Sequence, residues 1–271
     1  MTTACRFLYS CYVCIKSITM AKFSIVIPTY NQLPLFKRAL DSVLHQKDVD
    51  YEVIVTDDSD NGDIESYINT LSIPAIKYFH HPSNGIVADN WNYGLSKTIG
   101  QYVIVMHHDE VMTSNDYLSN IEKNMNNVDV VIADIEVLNQ GKKKTRFISH
   151  CIHSFYCKNP ELLFLQNTIG PTACITFKRE NLQFFKSDLK WFIDVEWYYR
   201  MLKGKSISLC NNCKIQSLDG HEGQISKNLD IIQAFKQDQN FIRKNYGNNV
   251  RLMIWLYEHL ILGTKKLIGK I

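Results

Sequence analysis

Phe23-Ser-Ile-Val-Ile27, stopped by Pro28 and followed by Thr29-Tyr-Asn-Gln32, decides the fold. A β-branched run of this length ended by proline predicts a strand buried on both faces, as strands of parallel sheets are. Behind it Leu35, Ala39, Leu40, Val43 and Leu44 recur at helical spacing and predict an amphipathic helix packed against that strand. The unit then repeats. Tyr51-Glu-Val-Ile-Val-Thr56 ends in Asp57-Asp58-Ser59-Asp60. Ala75-Ile-Lys-Tyr-Phe79 ends in His80-His81-Pro82 and the turn Ser83-Asn84-Gly85, ahead of a helix through Trp91 and Leu95. Tyr102-Val-Ile-Val-Met106 ends in His107-His108-Asp109-Glu110. Strand alternating with helix predicts an α/β fold, a doubly wound, mostly parallel sheet whose ligands bind outside the carboxyl ends of the strands. Every polar cluster follows a strand, so the clusters converge on one edge of the sheet.

Past residue 135 the alternation weakens. Gly141-Lys-Lys-Lys-Thr-Arg146 reads as a basic turn, Ala173–Phe177 as a strand, and a helix opens near Asp194 with Val195, Tyr198, Tyr199 and Leu202 on one face. No linker rich in Pro, Gly or Ser divides the chain. The expected organisation is one domain over 23–248, with 23–135 as the nucleotide-binding half and 136–248 as the acceptor and catalytic half. A basic amphipathic helix over 249–271 follows it.

The 271 residues, 45% hydrophobic and 21% charged, exclude a disordered chain, a collagen and a disulfide-built mini-domain. The net charge of +3 is unevenly placed: 1–22 and 250–271 each carry +3, which leaves −3 on the body. An acidic body argues against a nucleic-acid partner, whose basic footprint would cross the folded surface. Basic, apolar ends point to an anionic membrane surface instead. No uncharged apolar stretch approaches the ~20 residues that a spanning helix needs. Phe7–Ile15 is followed at once by Lys16 with no small-residue cleavage site, so secretion is not expected. Residues 1–22 read as an N-terminal extension, with Met20 as an alternative start. The eight cysteines have no framework spacing and read as reduced thiols. Cys210-Asn-Asn-Cys213 alone is half a zinc site.

The charged clusters each have a bland reading. Asp57 and Asp58 can open a turn or cap the next helix, and Asp109 can do the same. Yet a carboxylate just past a buried strand and behind two histidines can also hold a divalent cation, and oxygen ligands favour Mg2+ or Mn2+ shared with phosphate. Asp194 can be an N-cap. Glu196, two residues on, faces another way, so the two are not the acid and base of a hydrolase. His221 stands in the polar loop Asp219-Gly-His-Glu-Gly-Gln-Ile-Ser226.

Taken in order, Phe23–Asn31, Glu52-Val-Ile-Val-Thr-Asp-Asp-Ser59, Asn84-Gly85 with Asn90-Trp-Asn-Tyr-Gly94, Met106-His-His-Asp-Glu110, Trp191-Phe-Ile-Asp-Val-Glu196 with Arg200, and His221–Ser226 resemble the inverting family-2 glycosyltransferases of the GT-A fold. The resemblance spans about 23–226. It implies that Pro28, Thr29, Tyr30 and Asn84 line a nucleotide, with Asp58 accepting from the N3–H of uracil. It places Asp109 on the last aspartate of the acidic motif that binds Mn2+ or Mg2+ at the diphosphate, and His108 on the motif's earlier aspartate. His221 matches a loop residue that closes over the diphosphate, and with His108 is a further metal candidate. Asp194 falls on the general base, Trp191 and Glu196 beside it on the acceptor side, and Arg200 on a structural partner of the helix.

By the same resemblance the donor is a nucleotide sugar, UDP first, and the acceptor a glycan on a polyprenyl diphosphate in bacterial surface-polysaccharide assembly such as O-antigen or capsule. The protein would work in the cytoplasm, peripheral on the inner face of the membrane. Two alternatives remain at this level. A sugar nucleotidyltransferase would want a glycine-rich loop after the first strand, where this chain has Pro28-Thr-Tyr-Asn-Gln32; a nucleotide-sugar-binding protein that has lost catalysis is compatible with His108.

Overall fold

The computed structural model describes residues 21–139, 141–145, 148–221, 223, 224, 227 and 229–263. Among them nine strands form one sheet in the order β3-β2-β1-β4-β8-β6-β9-β5, with β7 paired to β6. β1 (Phe23–Thr29), β2 (Tyr51–Asp57), β3 (Ile76–His80) and β4 (Tyr102–Val105) run parallel, with Thr29 opposite Asp57 and Asp57 opposite His80. Strand β1 is buried throughout, as its unbroken apolar run requires. The helices that cover these strands are α1 (Leu33–Leu44), α2 (Asp63–Leu71) and α3 (Val87–Ser96). α1 turns Phe36, Ala39, Leu40 and Val43 into the core. α3 comes close enough at Gly94 that a β-carbon there would lie 2.4 Å from Val26 Cγ1 and 3.2 Å from Thr56 Oγ1.

The second half turns the sheet mixed. Strand β8 (Ile175–Lys178) lies antiparallel between β4 and β6 (Val130–Asn139), and β9 (Ile207–Asp219) runs parallel to β6 along its whole length. Short β5 (Glu110–Met112) closes the edge, antiparallel to β9. α4 (Tyr117–Met125) and α5 (His150–Lys158) follow β5 and β7. The expected basic turn at 141–146 is a strand, β7 (Lys142–Thr145), antiparallel to β6; Arg146 lies outside the described residues. The strand expected at Ala173 begins at Ile175, after a single 3-10 turn over Thr172–Cys174.

Reduced thiols were expected throughout, but Cys210 and Cys213 are joined by a disulfide, Cα–Cα 5.4 Å. The cause lies in the register. Ala133 pairs with Cys210 and Asp134 with Lys214, so Asn211–Cys213 bulge out of β9 and fold the second cysteine back on the first. Neither cysteine belongs to a candidate metal cluster among the described residues.

The carboxyl end packs more tightly than a free amphipathic helix would. After α6 (Ile193–Leu202) and α7 (Ile231–Asn245), α8 (Asn248–Leu256) continues into a π-helical turn, Tyr257–Leu262. Val250, Ile254 and Tyr257 are buried, and the Tyr257 ring lies 5.2 Å from Phe192 and 5.6 Å from Phe235. The opposite face exposes Leu252, Trp255 and Leu260 beside Arg251 and His259. Lys265, Lys266 and Lys270 lie outside the described residues, as do Arg6 and Lys16. No helix among the described residues is long and apolar enough to cross a membrane.

Candidate active site

The ends of β1 and β2 are locked together before anything binds. Asp57 is fully buried; its Oδ1 accepts from the Ser59 amide (3.0 Å) and from the Ser59 hydroxyl, and its Oδ2 from the Tyr78 hydroxyl at 2.9 Å. It is a turn-builder. Asp58, whose amide donates to the Thr29 carbonyl (3.2 Å), keeps its carboxylate on the binding side, where Asn90 Nδ2 donates to it at 3.0 Å. Burial first, and the charge of Asp57 in the same direction, push the Asp58 carboxyl up to about 6.

Pro28 and Thr29 are buried in β1, while Tyr30 projects, 44% exposed, its hydroxyl donating to Asp60 at 2.7 Å. Asn31, at a left-handed φ of 49°, exchanges hydrogen bonds with Asp60 in both directions, 3.1 and 3.2 Å. Asn84 spends both side-chain groups on its own turn, donating to Asp89 (2.7 Å) and accepting from the Ile86 amide (2.9 Å). It shapes the entrance to α3.

The segment after β4 carries the ionic cluster. His107, Asp109 and Glu110 bring one donor atom each within 4.8 Å of one another. The Glu110 side chain is 2% exposed, accepts from the His107 amide at 2.9 Å, and faces His107 Nδ1 at 3.4 Å. Burial holds the Glu110 carboxyl above its usual range. Burial acts most strongly on His107 and would lower it, but the charge and hydrogen bond of Glu110 together with the charges of Asp109 and Asp194 outweigh it and raise the imidazole. Burial pushes His108, next along, down to about 4.

Across from them His221, delivered by the loop that β9 feeds, sets Nε2 3.2 Å from Asp109 Oδ2. Burial alone would raise Asp109; the His221 hydrogen bond and the nearby imidazoles bring it below its usual range. His107 Nε2 and His108 Nδ1 are buried nitrogens with no hydrogen-bond partner among the described residues. Orphaned imidazole nitrogens beside an ionised carboxylate fit a divalent cation better than they fit a closed protein core. Glu222, Ile225 and Ser226 lie outside the described residues.

Asp194 opens α6 from the opposite side. Its Oδ1 accepts from the Val195 amide (2.8 Å) and its Oδ2 from Asn167 Nδ2 at 3.1 Å. It is near enough to His107 for its charge to raise that imidazole. The turn before α6 is held by a carboxylate that the sequence reading passed over: Asp238 of α7, wholly buried, accepts from the Lys190 (2.9 Å), Trp191 (2.7 Å) and Phe192 (2.7 Å) amides.

Trp191 donates its indole N–H to the Tyr257 hydroxyl at 3.0 Å. Glu196 is fully buried and accepts from Arg200 (2.5 and 2.9 Å) and from the Tyr246 hydroxyl. Its side chain has no face on the cleft and positions the helix instead; Arg200 is its structural partner. Asn167 also escaped notice, because one asparagine in Leu165-Gln-Asn-Thr-Ile169 carries no periodic or motif signal. Only the fold brings it to Asp194.

The family model for glycosyl transferase family 2 matches residues 24–185. A Campylobacter jejuni protein named GalNAc(5)-diNAcBac-PP-undecaprenol beta-1,3-glucosyltransferase is 32% identical over 102 residues, 35% of this chain and 32% of its own. In that relative and in two uncharacterized Rickettsia glycosyltransferases the matched stretch makes up a third or less of the whole protein. Among solved structures, Staphylococcus aureus TarS 1–349 in complex with UDP-GlcNAc superposes with a TM-score of 0.63 at 17% identity, over 86% of this chain and 69% of that one. Mannosyltransferase PcManGT from Pyrobaculum calidifontis, in complex with GDP-Man and Mn2+, gives 0.61 at 17% identity, over 95% and 77%. At such identities the structures speak to the fold, which is GT-A. The family match takes in the strands that build the Asp58 and Asp109 ends of the cleft, and on that ground the chain belongs to glycosyl transferase family 2.

Proposed function

We propose that this chain transfers a sugar, with inversion, from a nucleoside-diphosphate sugar, UDP first, to a hydroxyl of a glycan on a polyprenyl diphosphate in surface-polysaccharide assembly. The observation that supports the reading is that Asp58 and Asp109 follow the parallel strands β2 and β4 while the charge of Asp194 reaches His107 beside Asp109, three carboxylates in three different settings. Asp58 beside Asn90 suits a base N–H. Asp109 with His221 suits a cation at a diphosphate. Asp194, pinned by Asn167, suits proton removal.

Each setting matches one need of the reaction. A diphosphate leaves as an anion and asks for charge stabilisation rather than for a protonated acid. A divalent cation held by Asp109, with His221 and His108 as further ligands, supplies that stabilisation when bound. Asp194 takes the proton of the acceptor hydroxyl while that oxygen bonds to the anomeric carbon and the bond from that carbon to the diphosphate oxygen breaks on the opposite face. One base therefore suffices. UDP-GlcNAc in TarS, and GDP-Man with Mn2+ in PcManGT, support a nucleotide sugar and a cation. The Campylobacter relative's name supports a lipid-linked acceptor. The exposed Leu252, Trp255 and Leu260 beside Arg251 support a site of action on the inner face of the cell membrane.

A panel of UDP-glucose, UDP-galactose, UDP-GlcNAc and UDP-GalNAc with Mn2+ or Mg2+, bacterial lipid extract as acceptor and UDP release as readout tests the reading. Turnover of at least one donor is expected, with kcat lowered by about 10²-fold or more in Asp194→Asn. Nucleotide binding with no turnover across the panel would favour the binding-protein alternative. Normal turnover by Asp194→Asn would remove the base.

A further inference from the structure

The loop 166–170 meets α6 at two points that differ in kind. Asn167 Oδ1 accepts from the Ile169 and Gly170 amides, both at 3.0 Å, which folds the loop on itself. Its Nδ2 donates outward to Asp194 Oδ2 at 3.1 Å and back to the Gly170 carbonyl at 3.1 Å. One turn further along α6, the Tyr198 hydroxyl donates to the same Gly170 carbonyl at 2.9 Å. Gly170 sits at φ +109°, and a β-carbon there would lie 2.9 Å from Ile135 Cδ1, so the loop has one way to lie against β6.

The two ends of one amide thus divide the work: the oxygen builds the loop and the nitrogen faces the carboxylate. Asp194 Oδ1 is already taken by the Val195 amide at 2.8 Å.

We propose that Asn167 is a positioning residue for transfer: its side-chain N–H fixes which way the second Asp194 oxygen points and favours the anionic base. This deepens the reading of Asp194 as the base and rests on it. A carboxylate accepting two N–H bonds is held in orientation and in charge, and misplacing a reacting group by about 1 Å costs on the order of 10²-fold in rate. Among the described residues His107 feels the Asp194 charge, Asp109 and Glu110 stand beside His107, Asp238 holds the turn that Lys190 begins, and Glu196 and Arg200 lie along the same helix as Asp194. They stay unchanged in the variants below.

Asn167→Asp separates the two functions. An aspartate keeps the oxygen that caps the Ile169 and Gly170 amides, removes the N–H, and turns a carboxylate on Asp194. With the UDP-release assay above, kcat is expected to fall about tenfold to a hundredfold at neutral pH with KM for the UDP-sugar within about twofold. The acid limb of kcat against pH is expected to move up by about one unit or more, because a like charge disfavours ionisation. Tyr198→Phe, which loosens the same loop without touching Asp194, is expected to leave the acid limb in place.

Should Asn167→Asp not fold, Asn167→Ser, whose hydroxyl can cap the turn but is too short to reach Asp194, is expected to lower kcat in the same range and to move the acid limb up by less, since it removes the N–H without adding a charge. An unchanged kcat and acid limb in the folded variant, or an equal shift in Tyr198→Phe, overturns the proposal. If Asp194→Asn is inactive in the same series the base reading survives that failure; if Asp194→Asn is active, the base reading itself has fallen.

Discussion

Two adjacent aspartates show how far one side chain's role depends on its neighbours. Asp57 and Asp58 are equivalent in sequence, yet Asp57 is consumed by Ser59 and Tyr78 while Asp58 faces the cleft. A carboxyl brought up to about 6 has a consequence for binding. The folded protein holds a proton on Asp58 below about pH 6 that an unfolded chain would hold only below its ordinary carboxylate range. The burial cost of Asp58 is therefore absent at acid pH and is felt fully above about 6. The ionised form is the better acceptor from a base N–H, so affinity for UDP, measured by calorimetry, is expected to fall several-fold between pH 7 and pH 5. Asp58→Asn is expected to flatten that dependence.

Asp58 and Asp109 could be singled out from the sequence only through the motifs they stand in, since a carboxylate just past an apolar strand can equally build a turn, as Asp57 does. Asn167 could not be, since its meaning lies in a contact across 27 residues of chain. Glu196 was misassigned to the acceptor because a carboxylate two residues from Asp194 looks like a site residue until the i, i+4 pairing with Arg200 turns it into the protein.

At the scale of elements, α3 sets the width of the nucleotide end. Asn90, 4% exposed, donates from Nδ2 to the Thr56 carbonyl at 3.1 Å as well as to Asp58, and Gly94 lets the helix lie directly on Val26 and Thr56. The stretch Asn90-Trp-Asn-Tyr-Gly94 thus has two physical reasons in one helix: a side chain that reaches the sheet edge and a missing side chain that lets it. Gly94→Ala would drive a methyl into Val26. Overpacking of this kind costs about 1–3 kcal/mol, and urea unfolding followed by circular dichroism is expected to show it, with weaker UDP binding as the helix is pushed outward.

The first four strands were readable because each is an apolar run with a punctuated end. The mixed second half was not. β7 is made of three lysines and a threonine, all exposed, and pairs only because the turn at Gly141, φ +76°, lays it on β6. No hydrophobic period marks it. The bulge that pairs Cys210 with Cys213 is likewise set by the register of β9 against β6, which no local pattern shows.

For the whole molecule the carboxyl-terminal helix is part core and part surface. Periodicity placed apolar residues inward and charges outward, and the inward half of that holds in Val250, Ile254 and Tyr257. Outward, Leu252, Trp255 and Leu260 are 51%, 48% and 55% exposed, a face that water does not favour. Truncating the helix would strip the core, so the membrane reading is better tested from outside. Leu252→Ser, Trp255→Ser and Leu260→Ser combined are expected to lower cosedimentation with phosphatidylglycerol-containing vesicles about tenfold or more, while the thermal midpoint stays within a few degrees. Equal binding by the triple variant would place membrane contact elsewhere.

The matched family region ends at residue 185, before Asp194, whereas the buried carboxylate that receives the Lys190, Trp191 and Phe192 amides comes from Asp238. The helix bearing Asp194 and the helix that steadies the turn before it therefore form one packing unit. A chimera that replaces α7 by a relative's helix would bury the Lys190, Trp191 and Phe192 amides opposite a foreign side chain.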